Sequence, residues 1–225
     1  MWLLNKLISK IKHEPFILDE QIPMSYMVFL VWSKFWCLLY GMVLFRKIAF
    51  VHFTSKIKCK RKIRFVKNLS IDRNCFIDAL STDGIIFGKN CSIGKNTTIE
   101  CTGSFRLLGK GLKVGNNVGL GTHGFFGCAG GVEIGDDTIF GNFVSVHSEN
   151  HNFSSLETSI RLQGVNRKGI VIGKNCWIGA KVTILDGTHI GDGCIVAAGA
   201  VVTGSFPSNS IIGGVPAKII KQRVQ

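Results

Sequence analysis

The apolar positions in the second half of the chain recur every six residues. Block starts fall at Ile172, Ile178, Ile184, Ile190, Val196 and Val202, all β-branched and aliphatic. The fifth residues of the first five blocks, Cys176, Val182, Thr188, Cys194 and Ala200, are all small. The first half keeps the same pattern, with starts from Ile71 and Ile77 through Ile93, Ile99 and Ile134 to Val146, but its spacing slips. The slips lie between Ile77 and Phe87, Ile99 and Val114, Phe126 and Ile134, and Val146 and Ile172. A period of six is not helical. It predicts very short strands joined by tight turns, with Gly-Asp, Gly-Lys and Asn at the corners. Stacked coils, about 4.7 to 4.9 Å apart, then bury the aliphatic column along the axis. The fifth position must be small because it turns inward near a corner. Short slips predict bulged corners, and the longest leaves room for a protruding loop.

A different pattern precedes the repeat. Residues 24–45 read MSYMVFLVWSKFWCLLYGMVLF, with Lys34 the only charge. The length is enough to cross a bilayer, and equally suits a helix lying in the interface. Tyr26, Ser33, Cys37 and Gly41 form a weak polar stripe at helical spacing. Phe29, Trp32, Phe35 and Trp36 sit mid-segment, where interfacial belts would not put them. A central Lys34 also disfavours a plain span. Next comes KIKCKRKIRFVK, Lys56 to Lys67, with seven basic residues in twelve. Such a cluster is drawn to an anionic leaflet by about 1 kcal/mol per Lys or Arg. The expected organisation is a membrane-associating helical segment and basic stem over residues 1–69, then a repeat domain over 70–225. That domain includes a loop at 152–171 and a short C-terminal tail.

Charge and cysteine content narrow the classes. The 225 residues carry 27 Lys and Arg against 14 Asp and Glu, a net charge of +13. Nucleic acid, an anionic membrane and a phosphate-bearing substrate all fit that excess. A nucleic-acid surface needs stacking aromatics among its cations, and the basic stretch holds only Phe65, so no nucleic-acid partner is expected. The eight cysteines form no CxxC pair, and their spacing suits neither a zinc site nor a disulfide framework. Most occupy repeat positions, so they are expected as small buried residues in a reducing compartment.

The closing segment, CWIGAKVTILDGTHIGDGCIVAAGAVVTGSFPSNSIIGGVPAKIIK, is specific. It resembles the hexapeptide-repeat acyltransferases, with bacterial surface-polysaccharide O-acetyltransferases and the maltose and galactoside acetyltransferases nearest. The resemblance covers about Ser70 to Lys221. It implies an all-β chain: a left-handed parallel β-helix of about six coils with an N-terminal hydrophobic helical segment. It further implies a homotrimer, acetyl-CoA as acyl donor, no required metal, and a sugar or glycan acceptor.

The stretch SVHSENHNF, Ser145 to Phe153, breaks the repeat. The run from Ile134 to His151 aligns without a gap to the family's path from an IGD-type hexad to its general base, so the resemblance assigns that role to His151. The chemistry wants such a residue, because a sugar hydroxyl is a poor nucleophile at neutral pH and a neutral imidazole can take its proton. Asn150, His147 and His123 are candidates for the acceptor side. Glu149 is a candidate to orient an imidazole, and His189 ends an ordinary hexad. Stacking is expected to put His123 on a different side of the coil from His147 and His151, against a zinc site.

By the same resemblance, coenzyme contacts fall on Trp177, Ala180, Ala198 and Thr203. Lys218 and Lys221 then lie near the adenosine phosphates. The family often has Lys after that Thr, whereas Gly204 stands here. Small residues admit a pantetheine arm and cations meet phosphate. An enzyme using acetyl-CoA works in the cytoplasm. Together with the apolar segment this predicts a peripheral or monotopic protein on the cytoplasmic side of a bacterial inner membrane. Three readings stand beside this one: amino-sugar N-acetylation, a γ-type carbonic anhydrase-like protein, and a non-catalytic β-helix.

Overall fold

The structure, a computed structural model, describes residues 17–224. Residues 1–16 of the expected N-terminal segment and Gln225 lie outside the described residues. The chain winds into a left-handed parallel β-helix whose strands stack on three faces. Face 1 runs from Ala49–Val51 through Leu69–Ile71, Ser92–Ile93, Ile139–Phe140, Trp177–Ile178 and Ile195–Val196 to Ser210–Gly214. Gly119 bridges its middle, between Ser92 and Ile139. Face 2 has seven rungs, from Lys56–Lys58 to Val201–Val202. Face 3 also has seven, from Ile63–Lys67 to Ser205–Phe206. The strands are two to six residues long and parallel in register, as short hexads with turns between them require.

Stacked coils therefore begin at Ala49, 21 residues ahead of the expected boundary at Ser70. The basic stretch is the first coil itself: Lys56–Lys58 pairs with Phe76–Asp78, and Ile63–Lys67 pairs with the strand at Gly84–Lys89. The repeat does not show this because coil one keeps the inward apolar positions Val51, Ile63 and Phe65 but loads most outward positions of its second and third strands with cations. The coil count rises to seven for the same reason.

Block starts form the core. Ile71, Ile77, Ile99, Phe126, Val146, Ile178, Ile184 and Val202 are all within 1% of full burial. The small fifth positions turn inward beside them, and Cys75, Cys91, Cys176 and Cys194 are buried there. Burial pushes these four thiols up from their ordinary pKa, so they stay protonated and inert. Two cysteines differ from expectation. Cys59 is exposed at a corner and Cys37 is half-buried on the N-terminal helix, because neither occupies a hexad.

The corner between faces 3 and 1 is built from residues in the left-handed region: Asn68, Asn90, Asn117, Asp137, Asn175 and Asn209 all have φ between 52 and 62°. Asparagine tolerates that conformation best among residues with a side chain. Four of these side chains also form a ladder along the axis. Asn68 Nδ2 donates to Asn90 Oδ1, Asn90 Nδ2 to Asn117 Oδ1, and Asn117 Nδ2 to Asp137 Oδ1, at 2.8 to 2.9 Å.

The edge between faces 2 and 3 is the opposite case. All four register slips fall on it: after Asp78, after Glu100, after Gly127 and after His147. The longest excursion leaves the prism at Ser148 and returns at Ile170.

Helix α1 (Met24–Phe45) lies on the free edge of the first rung. Contact there is close enough that a Cβ on Gly41 would sit 2.0 Å from the Ala49 carbonyl oxygen. Leu44 and Phe45 pack on the core, and the Phe45 ring meets Phe65 edge-on at 5.4 Å. Most of the polar stripe faces this contact: Ser33 and Cys37 are partly covered and Gly41 is buried, whereas Tyr26 stays exposed. Phe29, Trp32, Phe35 and Trp36 point away and stay about half exposed or more.

Candidate active site

Face 2 presents His147 outward from the rung Ser145–His147, between Phe125–Gly127 below and Thr183–Leu185 above. Alternation along the strand buries Val146 and turns its neighbours out. The imidazole lies 5.3 Å from the Phe125 ring, and its Nε2 shares a 2.7 Å hydrogen bond with Ser145 Oγ. It is half-buried, and this desolvation holds its pKa below the ordinary histidine value, favouring the neutral form.

The chain then leaves the prism. Asn150–His151 pairs antiparallel with Val165–Asn166, making a hairpin base. Its far part is tied by Asn152, whose amide donates to the Gln163 carbonyl, and by Gln163, which donates to the carbonyls of Ser155 and Thr158. His151 stands exposed on this hairpin, and among the described residues nothing bonds to its imidazole. Glu149 does not orient a histidine. It pairs with Arg167, just past the opposite strand, while the Arg167 guanidinium donates to the carbonyls of Leu107 and Leu108 at 3.0 Å. One arginine thus joins the hairpin to the excursion at 101–110. The residues are 18 and about 60 apart in sequence, so no local signal marks them.

His147, Asn150 and His151 come together at the insertion-bearing edge. His123 sits at the other edge of face 2, one coil earlier, with φ 56°. It stacks on Phe143 at 4.7 Å and bonds Asn96 Nδ2 at 2.8 Å. Among the described residues no three His, Cys, Asp or Glu gather in a metal-sized group.

The coenzyme candidates divide between two edges. Ala180 and Ala198 stack at the corner between faces 1 and 2, both exposed. Their N–H groups donate to no described residue, although the Ala180 carbonyl accepts from Gly199. This is a column of small side chains with free donors, the surface an amide-bearing pantetheine arm requires. Trp177 projects from face 1 beside it, 54% exposed, between Ile139 and Ile195. Lys218 and Lys221 are exposed on the strand Ala217–Gln222, which folds back antiparallel on Ser210–Gly214. Thr203 is not with this group. It lies across face 2, at the corner before Ser205–Phe206, beside Gly204 in open space.

A prism of hexads with a histidine-bearing excursion at one edge defines a hexapeptide-repeat transferase, and comparison with known proteins agrees. The family model "Bacterial transferase hexapeptide (six repeats)" matches residues 169–204. Over 176 residues the chain is 33% identical to WbbJ of Escherichia coli, a protein named for O-acetyl transfer in lipopolysaccharide biosynthesis; the match covers 71% of this chain and 87% of that one. It is 32% identical to WcaF of Escherichia coli, named for acetyl transfer in colanic acid biosynthesis, over 62% of this chain and 72% of that one. A 34% match to an acetyltransferase by name from Mycobacterium tuberculosis covers 58% of this chain but only 44% of that longer protein. Among solved structures, the Bacillus cereus N-acyltransferase AntD, in complex with dTDP and 3-hydroxybutyryl-CoA, shares the fold. Its TM-score is 0.52 at 19% identity, over 83% of this chain and 87% of AntD. The chain belongs to the bacterial hexapeptide transferase family and is an acyltransferase.

Proposed function

We propose that the chain transfers an acetyl group from acetyl-CoA to a sugar hydroxyl of a bacterial surface polysaccharide or of its lipid-linked precursor. The relatives WbbJ and WcaF, both named for polysaccharide acetylation, support the reaction class. The observation that carries the mechanism is the unbonded His151 imidazole on a hairpin anchored to the prism. It takes the proton of the acceptor hydroxyl as the oxygen attacks the thioester carbonyl carbon. The C–S bond then breaks, and the coenzyme thiolate recovers the proton from the imidazolium. No acyl-enzyme forms. Asn150 and His147 line the acceptor side, with His147 neutral through burial, and His123 touches the acceptor further along face 2.

Acetyl-CoA is held through the free N–H groups of Ala180 and Ala198 and flanked by Trp177. Lys218 and Lys221 meet its phosphates. A groove of this kind is completed by a second copy, in a homotrimer. The exposed aromatic face of α1 and the basic first coil support a location on the cytoplasmic face of the inner membrane. A 22-residue helix apolar enough to span a bilayer, with one side committed to the first rung, lies on the membrane as a monotopic anchor.

The test is His151→Ala assayed by thiol release against hydroxyl and amine acceptors. Turnover falls by roughly 10² to 10⁴ while the trimer stays folded. Full turnover in that variant, or a preference for amines, overturns the assignment.

A further inference from the structure

Three features line up along face 2. At its foot, coil one is a ring of positive charge: residues 46–68 hold nine Lys and Arg and no Asp or Glu. Lys56 and Lys58 project from that rung of face 2, and the Lys60–Lys62 turn flanks it at the adjoining edge. Above it the outward positions alternate aromatic and polar. Phe76 and Asp78 come first, then Thr98 and Glu100, then Phe125. Lys58 Nζ sits 5.0 Å from the Phe76 ring centroid and 4.0 Å from the Asp78 carboxylate, so the lowest rungs are already joined. At the top is His147, against Phe125. Aromatic faces next to carboxylates and hydroxyls are the chemistry that holds sugar rings, whose C–H faces are apolar and whose edges are hydrogen-bonding groups. Face 1 offers no such track over the same coils: between Phe50 at its foot and Trp177 near its top, its outward column is Ser70, Ser92, Gly119 and Ile139.

The height of the site is also set. His147 is on the fifth rung of face 2, counted from Lys56–Lys58. Four rung spacings put it about 19 Å above the first coil. With α1 against the bilayer, an acceptor sugar beside His147 stands at least that far from the membrane surface.

We propose that the acceptor is a lipid-phosphate-linked oligosaccharide that runs up face 2, with its phosphate on the Lys56–Lys58 rung and its sugars over Phe76, Asp78, Glu100 and Phe125. The acetylated residue is then several sugars from the lipid, and the sugar next to the phosphate is out of reach. This rests on the reading of the chain as a membrane-bound sugar O-acetyltransferase.

The experiment uses full-length protein and vesicles containing an anionic phospholipid. The probes carry the sugar that serves best in the acceptor panel above. It is offered free, joined directly to a dodecyl phosphate, or placed at the tip of an oligosaccharide of several residues on the same lipid phosphate. The expected result is that the protein binds the vesicles, acetylates the free sugar, and acetylates the extended glycolipid roughly tenfold faster than the short one. Phe76→Ala lowers turnover of the extended glycolipid by up to roughly tenfold and leaves free-sugar turnover unchanged. Asp78→Asn, which keeps shape and volume, acts in the same direction.

Equal rates on short and extended glycolipids overturn the proposal, as does loss of neither rate in both variants. Failure to bind vesicles sinks the membrane reading and this one with it. Failure on the free sugar sinks the acetyltransfer reading, a distinct result.

Discussion

Two edges of one prism behave in opposite ways. Where face 3 turns into face 1, successive coils place an Asn or Asp in the same left-handed conformation, and four of those side chains bond into an axial ladder. Where face 2 turns into face 3, the chain inserts extra residues four times, and two of these excursions are clamped to each other by Arg167. A solenoid tolerates this asymmetry because each coil needs only its neighbours for its strands. One edge keeps register, which leaves the other free to carry chemistry.

The comparison can be broken at its shared support. Ile184→Ala opens a cavity behind face 2 in a fully buried position, and should cost about 2 to 5 kcal/mol. Thermal unfolding should shift down at both edges together, and a loss confined to the hairpin would show that the edges fold separately.

Arg167→Ala sharpens the contrast. It removes the ion pair to Glu149 and two carbonyl bonds, so the hairpin bearing His151 loosens while the ladder is untouched. Charge-assisted bonds of this kind contribute about 1.5 to 3 kcal/mol. We expect kcat to drop about tenfold or more with KM for acetyl-CoA little changed. Arg167→Lys should recover only part, because an ammonium pairs with Glu149 but cannot reach both carbonyls as a planar fork does. A pure stability loss with unchanged kcat would remove the positioning role.

Asn90→Ala is the mirror experiment on the regular edge. It removes two ladder bonds and puts a poorly suited residue at φ 57°. The expected cost is about 1 to 2 kcal/mol in urea unfolding, with kcat per folded enzyme unchanged. Loss of activity there would mean the two edges are coupled.

The smallest effect concerns pH. Burial lowers the His147 pKa, so the folded state binds this proton less readily than the unfolded chain. Its contribution to stability is present above the ordinary histidine value of about 6.5 and lost as pH falls through the folded value. His147→Gln should flatten the acid side of the stability profile, measured as midpoint against pH. An unchanged slope would show that another group controls it.

Much of this was legible early. Block starts at Ile172 to Val202 gave the buried column because one large aliphatic in six has only one inward direction in a short strand. The apolar run at 24–45 is one helix, as its composition implied. The closing segment, Cys176 to Lys221, pointed to the family because many of its small and turn residues are dictated by the coil geometry. Two matters were not legible. The first coil hid inside a basic stretch, since cations on outward positions mask the repeat. Arg167 gave no signal, since its partners at Leu107, Leu108 and Glu149 are far apart in the chain and meet only when coils stack.

By itself, then, the sequence determined the coil, the helix, the inward cysteines and the candidate base, because each follows from a local period or a contiguous motif. Tertiary structure alone decided that all four slips share one edge, and that Thr203 is separated from Ala180 and Ala198. It also decided that the polar side of α1 packs inward and leaves the aromatic side bare. The physical reason is common to all three. Position around a prism is the running sum of every earlier turn, so it is fixed by interstrand register between distant residues and not by any stretch that can be read alone.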